Sequence, residues 1–185
     1  MPSRALGIWD GERVPRLALL ERQCESGAAH PLLLQENLRA LVVSLSAHFQ
    51  GFCRDLYTEA AQVIASKVRE SLRIVVRRQF AAGLKLDRGN PTLANLIDDF
   101  GRLGFEVKQP LHAVFAVRPS WHQQLSQLNE WRNAVAHQLK DPATPSLDAT
   151  VVDLWRVNCD LIARALDQIV YDGLTKLLRR KPWAS

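Results

Sequence analysis

Apolar residues recur along this chain at helical spacing over most of its length. From Leu32 onward, Leu38, Leu41, Val42, Leu45, Phe49, Phe52, Leu56, Ala60 and Val63 keep a period near 3.6, the mark of a long helix with one stripe turned to a core. No proline interrupts residues 32–90, and Gly51 inside this run weakens the helix only by about 0.5–1 kcal/mol relative to alanine. A second helical stretch is expected over Lys67–Ala82, stopped by Gly83. Asn90-Pro91 then reads as a helix start, with asparagine capping and proline in the first helical position. Leu93, Leu96, Ile97 and Phe100 follow before Gly101 and Gly104. Phe105–Pro119, with a proline inside it and another at its end, reads as connecting structure holding at most a single turn or a strand-like piece. A helix over Pro119–Leu139 comes next. After a loop over Lys140–Pro145, Val151, Leu154, Trp155, Leu161, Ile162, Ala165, Ile169 and Leu177 mark a final long helix that closes on Lys176, Arg179, Arg180 and Lys181.

Four principal helices with short links predict an all-α fold: an up-and-down four-helix bundle over residues 32–181, with one short extra helix. Residues 1–31 are read as an N-terminal arm with a turn-like Trp9-Asp10-Gly11, one candidate short helix over Val14–Cys24 and a stop at Gly27. Composition narrows the picture. A chain of 185 residues, 47% hydrophobic and 23% charged, has enough apolar material for a single sizeable core. Cys24, Cys53 and Cys159 are odd in number and lack ligand spacing, so a disulfide framework or zinc site is not expected; they suit buried positions in a reducing compartment. No segment approaches the ~18 consecutive apolar residues of a membrane span, so the expected location is cytoplasmic and no membrane partner is implied. A formal charge of +5 favours a polyanionic partner.

The chemistry is concentrated in Trp131-Arg132-Asn133-Ala134-Val135-Ala136-His137. The apolar stripe of that helix runs Trp121, Leu125, Leu128, position 132, Val135, Leu139, so Arg132 occupies a place where a core residue is expected. A charge there is costly without a partner, and an arginine with a titratable imidazole suits the holding and cutting of a phosphodiester. Spacing alone carries little, since roughly one Arg-to-His pair of this separation arises by chance in so arginine-rich a chain.

The surrounding context adds weight: a bulky apolar run before, small residues at 134 and 136, and Asp141-Pro142 soon after. The stretch resembles the HEPN family, whose ribonuclease members carry an arginine followed by a polar residue and then, after four to six residues, a histidine. Here these are Arg132, Asn133 and His137. The helix containing His48-Phe49-Gln50-Gly51-Phe52-Cys53-Arg54-Asp55-Leu56-Tyr57 also resembles the first long helix of such domains, particularly the RiboL-PSP-like branch; the likeness spans roughly residues 33–180. The resemblance implies a metal-independent endoribonuclease of toxin or antiviral-defence type. It would act on RNA as a homodimer with a composite cleft, restrained by a cognate antitoxin or defence-system partner. Toxins of the family neutralised by a nucleotidyltransferase usually carry a tyrosine two residues after the histidine; that position here is Leu139, so this mode of restraint is in doubt. The family also holds members that bind RNA or a protein partner without cutting, as regulatory or dimerising subunits.

In this reading His137 acts as general base or acid, Arg132 clamps the phosphate, and Asn133 orients the histidine or donates to the phosphate. Neither a metal nor a cofactor is implied, because carboxylate clusters, His/Cys ligand spacing and a glycine-rich phosphate loop are all lacking from the sequence. At about 100° per residue, Arg132 and His137 lie about 140° apart on an ideal helix, so either the helix unwinds near His137 or two copies meet across a two-fold axis. The plainer reading of Arg132 is an ion pair with the first long helix, where His48, Phe52, Asp55 and Glu59 form one ridge. Such a partner could equally support an active guanidinium, making Asp55, Glu59 and His48 supporting candidates. For His137 it is a histidine that merely closes a helix. Arg69, Arg73 and Arg77, with Lys67, Arg78 and Arg88 nearby, form either a solvated flank or an RNA-tracking surface. Trp121, Trp131 and Trp155 are read as core or dimer-interface anchors.

Overall fold

The computed structural model describes residues 2–26 and 29–183; their regular structure is all helical, with no strand among them. Helix α1 spans Arg4–Ile8 and α2 spans Val14–Ser26, joined by a π-helical turn over Trp9–Arg13. The remaining helices are α3 (Pro31–Ala65), α4 (Glu70–Ala81), α5 (Leu93–Gly101), α6 (Lys108–Val117), α7 (Pro119–Ala136) and α8 (Ala149–Leu178). Helix α3 is the axis of the bundle and packs against α1, α2, α7 and α8. Its predicted stripe is the core: Leu38, Leu41, Val42, Leu45, Phe49, Phe52, Leu56 and Ala60 are buried, with Val63 packed at the margin. Trp121, Trp131 and Trp155 are buried in the same cluster, as are all three cysteines, whose thiols are free. No described helix is long and apolar enough to cross a membrane.

Four local expectations are corrected. The arm is not turn-like at Trp9: that indole is wholly buried, edge-on to Phe49 (6.1 Å between ring centres) and tilted against Phe52 (5.8 Å), and its Nε1 donates to Asp160 Oδ1 at 3.0 Å. Asp10 and Gly11 imitate a turn in sequence, but the π turn keeps the chain helical while setting the tryptophan into the core. The expected stop at Gly27 lies outside the described residues. Helix α4 begins at Glu70 and not Lys67, after a break at residues 66–69. Helix α5 is capped by Thr92, whose Oγ1 accepts from Asn95 N at 3.2 Å, and Asn90 is used elsewhere. The segment read as connecting structure is α6. Pro110 is its third residue and Pro119 opens α7, so both prolines stand in first turns, where a missing N–H interrupts no ladder. Leu111 and Phe115, four apart, bury its inner face.

Two glycines of the long helices are set by close packing. On α3 the Arg13 guanidinium lies across Gly51, donates to His48 O at 3.2 Å and pairs with Asp55, pinning the arm to the helix. On α8 the Phe105 ring lies against Gly173, nearer than a methyl group would permit. Gly173→Ala is therefore expected to displace the ring and destabilise the fold by about 1–3 kcal/mol, despite the better helix propensity of alanine. Urea unfolding would show this as a lowered midpoint at unchanged slope; an unchanged midpoint would mean the ring relocates at no cost.

Candidate functional site

The site is assembled where the end of α7 meets the segment between α4 and α5. Helix α7 stops at Ala136, shorter than the predicted Leu139, and His137 is its C-cap. Gln138 takes the left-handed conformation (φ 52°), Gln138 N donates to Val135 O at 3.3 Å, and Leu139 N donates to Ala134 O at 2.9 Å. These two bonds are the Schellman pattern, here closed by a residue other than glycine. The helix thus ends at His137, one of the two arrangements that the Arg132–His137 spacing allows. The imidazole of His137 is exposed, and its backbone N–H donates to Asn133 O at 3.0 Å.

The predicted stripe also shifts. Trp121, Leu125 and Leu128 are buried, but in the last turns the core takes Trp131 and Ala134, leaving Arg132 half-buried at the margin and Leu139 61% exposed. The large Trp131 side chain claims the interior, with its Nε1 donating to Pro145 O at 3.1 Å. Among the described residues Arg132 pairs with no carboxylate; its Nη1 donates to Asn133 Oδ1 at 3.1 Å. That oxygen accepts a second bond, from Asn90 Nδ2 at 3.0 Å. Arginine can only donate, so the Asn133 atom facing it must be the oxygen, and the Asn133 –NH2 group is left to donate to something else. Four residues earlier, Asn129 is 6% exposed, and both polar atoms of its amide are buried without a partner among the described residues.

Asn90 is the residue that sequence reading missed, because Asn-Pro imitates a helix cap. The segment that presents it is held from beneath. Asp99, 1% exposed, accepts Lys85 N at 3.0 Å and Leu86 N at 2.8 Å, while Gln50 Nε2 on α3 donates to Leu86 O (2.6 Å) and Gly89 O (2.9 Å). Asn90 O in turn accepts from Asn95 Nδ2 at 2.8 Å. Asp99→Ala is expected to strip two backbone amides of their acceptor and to cost about 2–3 kcal/mol. Faster hydrogen exchange at Lys85 and Leu86 would report it; unchanged exchange there would show that the segment is held by other means.

The supporting ridge on α3 has different work. Asp55 pairs with Arg13, not Arg132; the Glu59 carboxylate accepts Arg4 N (3.0 Å) and Ala5 N (2.9 Å) at the start of α1; His48 offers its backbone oxygen to Arg13. Burial first, then the charges of Arg13 and Arg16, hold the His48 imidazole below the ordinary histidine range. All three polar residues of the ridge thus serve the N-terminal arm and not Arg132. Gln50, which serves the Asn90 segment, lies about 200° around α3 from His48. Of the basic trio, Arg69 immediately precedes α4 and is exposed, Arg73 is half-buried, and Arg77 is exposed on the flank toward α3. Among the described residues no three His, Cys, Asp or Glu side chains cluster as a metal site would require.

Comparison with known proteins found no matching family model, and neither curated proteins nor solved structures gave a match.

Proposed function

We propose that this chain is a metal-independent endoribonuclease of HEPN type, acting on RNA in a toxin or antiviral-defence setting as a homodimer. The observation that carries the proposal is the Arg132 guanidinium: half-buried, without a carboxylate among the described residues, held by the Asn133 amide and set in the turn before an exposed His137. An unpaired cation in that position is stabilised by an anion, and a phosphate accepts from its planar fork in the way a carboxylate would. The Asn133 –NH2 group supplies a further donor to the same anion.

The reaction follows from these groups. His137 accepts the proton of the 2′-hydroxyl, the 2′-oxygen bonds to phosphorus, and the bond to the 5′-oxygen breaks. The products are a 2′,3′-cyclic phosphate and a 5′-hydroxyl, whose proton comes from an imidazolium, the second histidine of the homodimer. Arg132 offsets the charge gathering on the phosphoryl oxygens. The test is incubation of RNA with the protein in excess chelator. Cleavage leaving cyclic-phosphate ends is the expected result. Absence of cutting by folded protein would favour the non-catalytic binding module, and cutting only with added metal would overturn the mechanism.

A further inference from the structure

A groove of about 570 Å³ separates α3 from α4. Arg54, Thr58 and Gln62 line it from α3, and Arg77 from α4, over a floor of Tyr57 and Phe80. The walls are tied together by Tyr57 OH, which donates to Phe80 O at 3.1 Å. Asp87 stands at one end, but Arg54 Nε lies 3.0 Å from its carboxylate and matches its charge. Arg77 enters no ion pair among the described residues, so the lining is cationic by one charge. No residue of α4 is fully buried; Arg73, Arg77 and Arg78 stand on it, Arg69 precedes it, and Glu70 is its sole acid.

The groove and the candidate site share one segment: Leu84 and Asp87 line the groove, and Asn90 follows three residues after Asp87. Gln50, one turn before Arg54 on α3, holds Leu86 O and Gly89 O, and Asn90 of the same segment reaches Asn133 beside Arg132. From Arg54 to Gln62 the groove follows α3 for about 12 Å, the length of about two nucleotides. The exposed Arg88 stands on the connecting segment. An open groove with the exposed cations Arg77 and Arg88 beside it and the half-buried Phe80 ring in its floor matches the needs of a single nucleic-acid strand.

We propose that the α3–α4 groove is a channel for single-stranded RNA, with Arg77 contacting phosphate, leading to the Arg132–Asn133–His137 site; its role as a feed to that site rests on the nuclease reading above. A membrane surface is the less suitable occupant. At about 100° per residue, Arg78 falls between the exposed Ile74 and Val75, so the apolar residues do not form the single face that a helix lying on lipid requires.

The experiment reads binding apart from cutting. Full-length protein carrying His137→Ala is titrated into a fluorescein-labelled 20-nucleotide RNA, and anisotropy is followed at several salt concentrations. Arg77→Glu on that background is expected to weaken binding at least tenfold, and Arg77→Ala to lower the salt slope by about 0.7, the value for one single-strand phosphate contact. Thr58→Glu, on the opposite wall, is expected to weaken binding comparably and serves if Arg77→Glu misfolds. Ile74→Glu, outside the groove, should lose less than threefold. Binding within twofold of the parent for both groove variants, or an equal loss from Ile74→Glu, would overturn the channel. So would Arg77-dependent binding to vesicles of phosphatidylserine with no binding to RNA. Wild-type protein that cuts no RNA while the groove variants lose binding would sink the nuclease reading and keep the channel; cutting with normal binding by the groove variants would do the reverse.

Discussion

His137→Ala is expected to reduce RNA cleavage about 10²–10⁴-fold, the usual range for removing a positioned proton-transfer group. The fold should survive, because His137 closes α7 through its backbone N–H, which alanine retains, and its imidazole is exposed. Arg132→Ala is expected to fall about 10²–10³-fold, the scale on which single donors to a developing oxyanion are lost. It also removes one bond to Asn133, about 1 kcal/mol of stability. Arg132→Lys separates charge from geometry: the ammonium keeps the charge but not the planar fork, so only partial recovery is expected. Cleavage rates in chelator, with circular dichroism to verify folding, check the series. A His137→Ala protein cutting within fivefold of wild type would remove the histidine from the mechanism.

Trp9→Ala is expected to cost about 3–5 kcal/mol, a large part of the 5–15 kcal/mol typical of a domain. The indole is wholly buried against Phe49 and Phe52 and donates to Asp160 Oδ1, so truncation leaves a void and removes one of the two donors to that oxygen, which keeps Arg164 Nη2 at 3.1 Å. Trp9→Phe, which keeps a ring and loses the donor, should lose much less. Urea unfolding followed by circular dichroism distinguishes them. A cost below about 1 kcal/mol for Trp9→Ala would mean that the arm does not contribute to the core.

The long helices were legible because their stripes persist over many turns: the α3 positions from Leu38 to Ala60 are buried as their spacing requires. Shorter signals were ambiguous for identifiable reasons. Proline marks a helix start as readily as an interruption, and Pro110 stands in the first turn of α6. Asn90 before Pro91 has the form of a cap, yet its side chain serves a contact 43 residues away, which no local rule reveals. Periodicity grouped His48, Asp55 and Glu59 correctly on one face of α3 but was silent on what crosses that face, and the answer was the N-terminal arm. Arg132 was picked out by its place in a stripe; the competing claim of Trp131 on the interior decided that it stands at the margin.

The arm has a further effect on how the chain must be built. Ser3 N donates to Asp167 (3.2 Å), Trp9 to Asp160, Asp10 pairs with Arg164 (2.8 Å) and Glu21 with Arg156 (2.7 Å). Every one of these partners lies on α8, more than a hundred residues downstream. During synthesis α3 is therefore available to receive the arm long before α8 is made, but Trp9 gains its hydrogen-bond partner, and the arm its second set of polar ties, only when α8 has emerged.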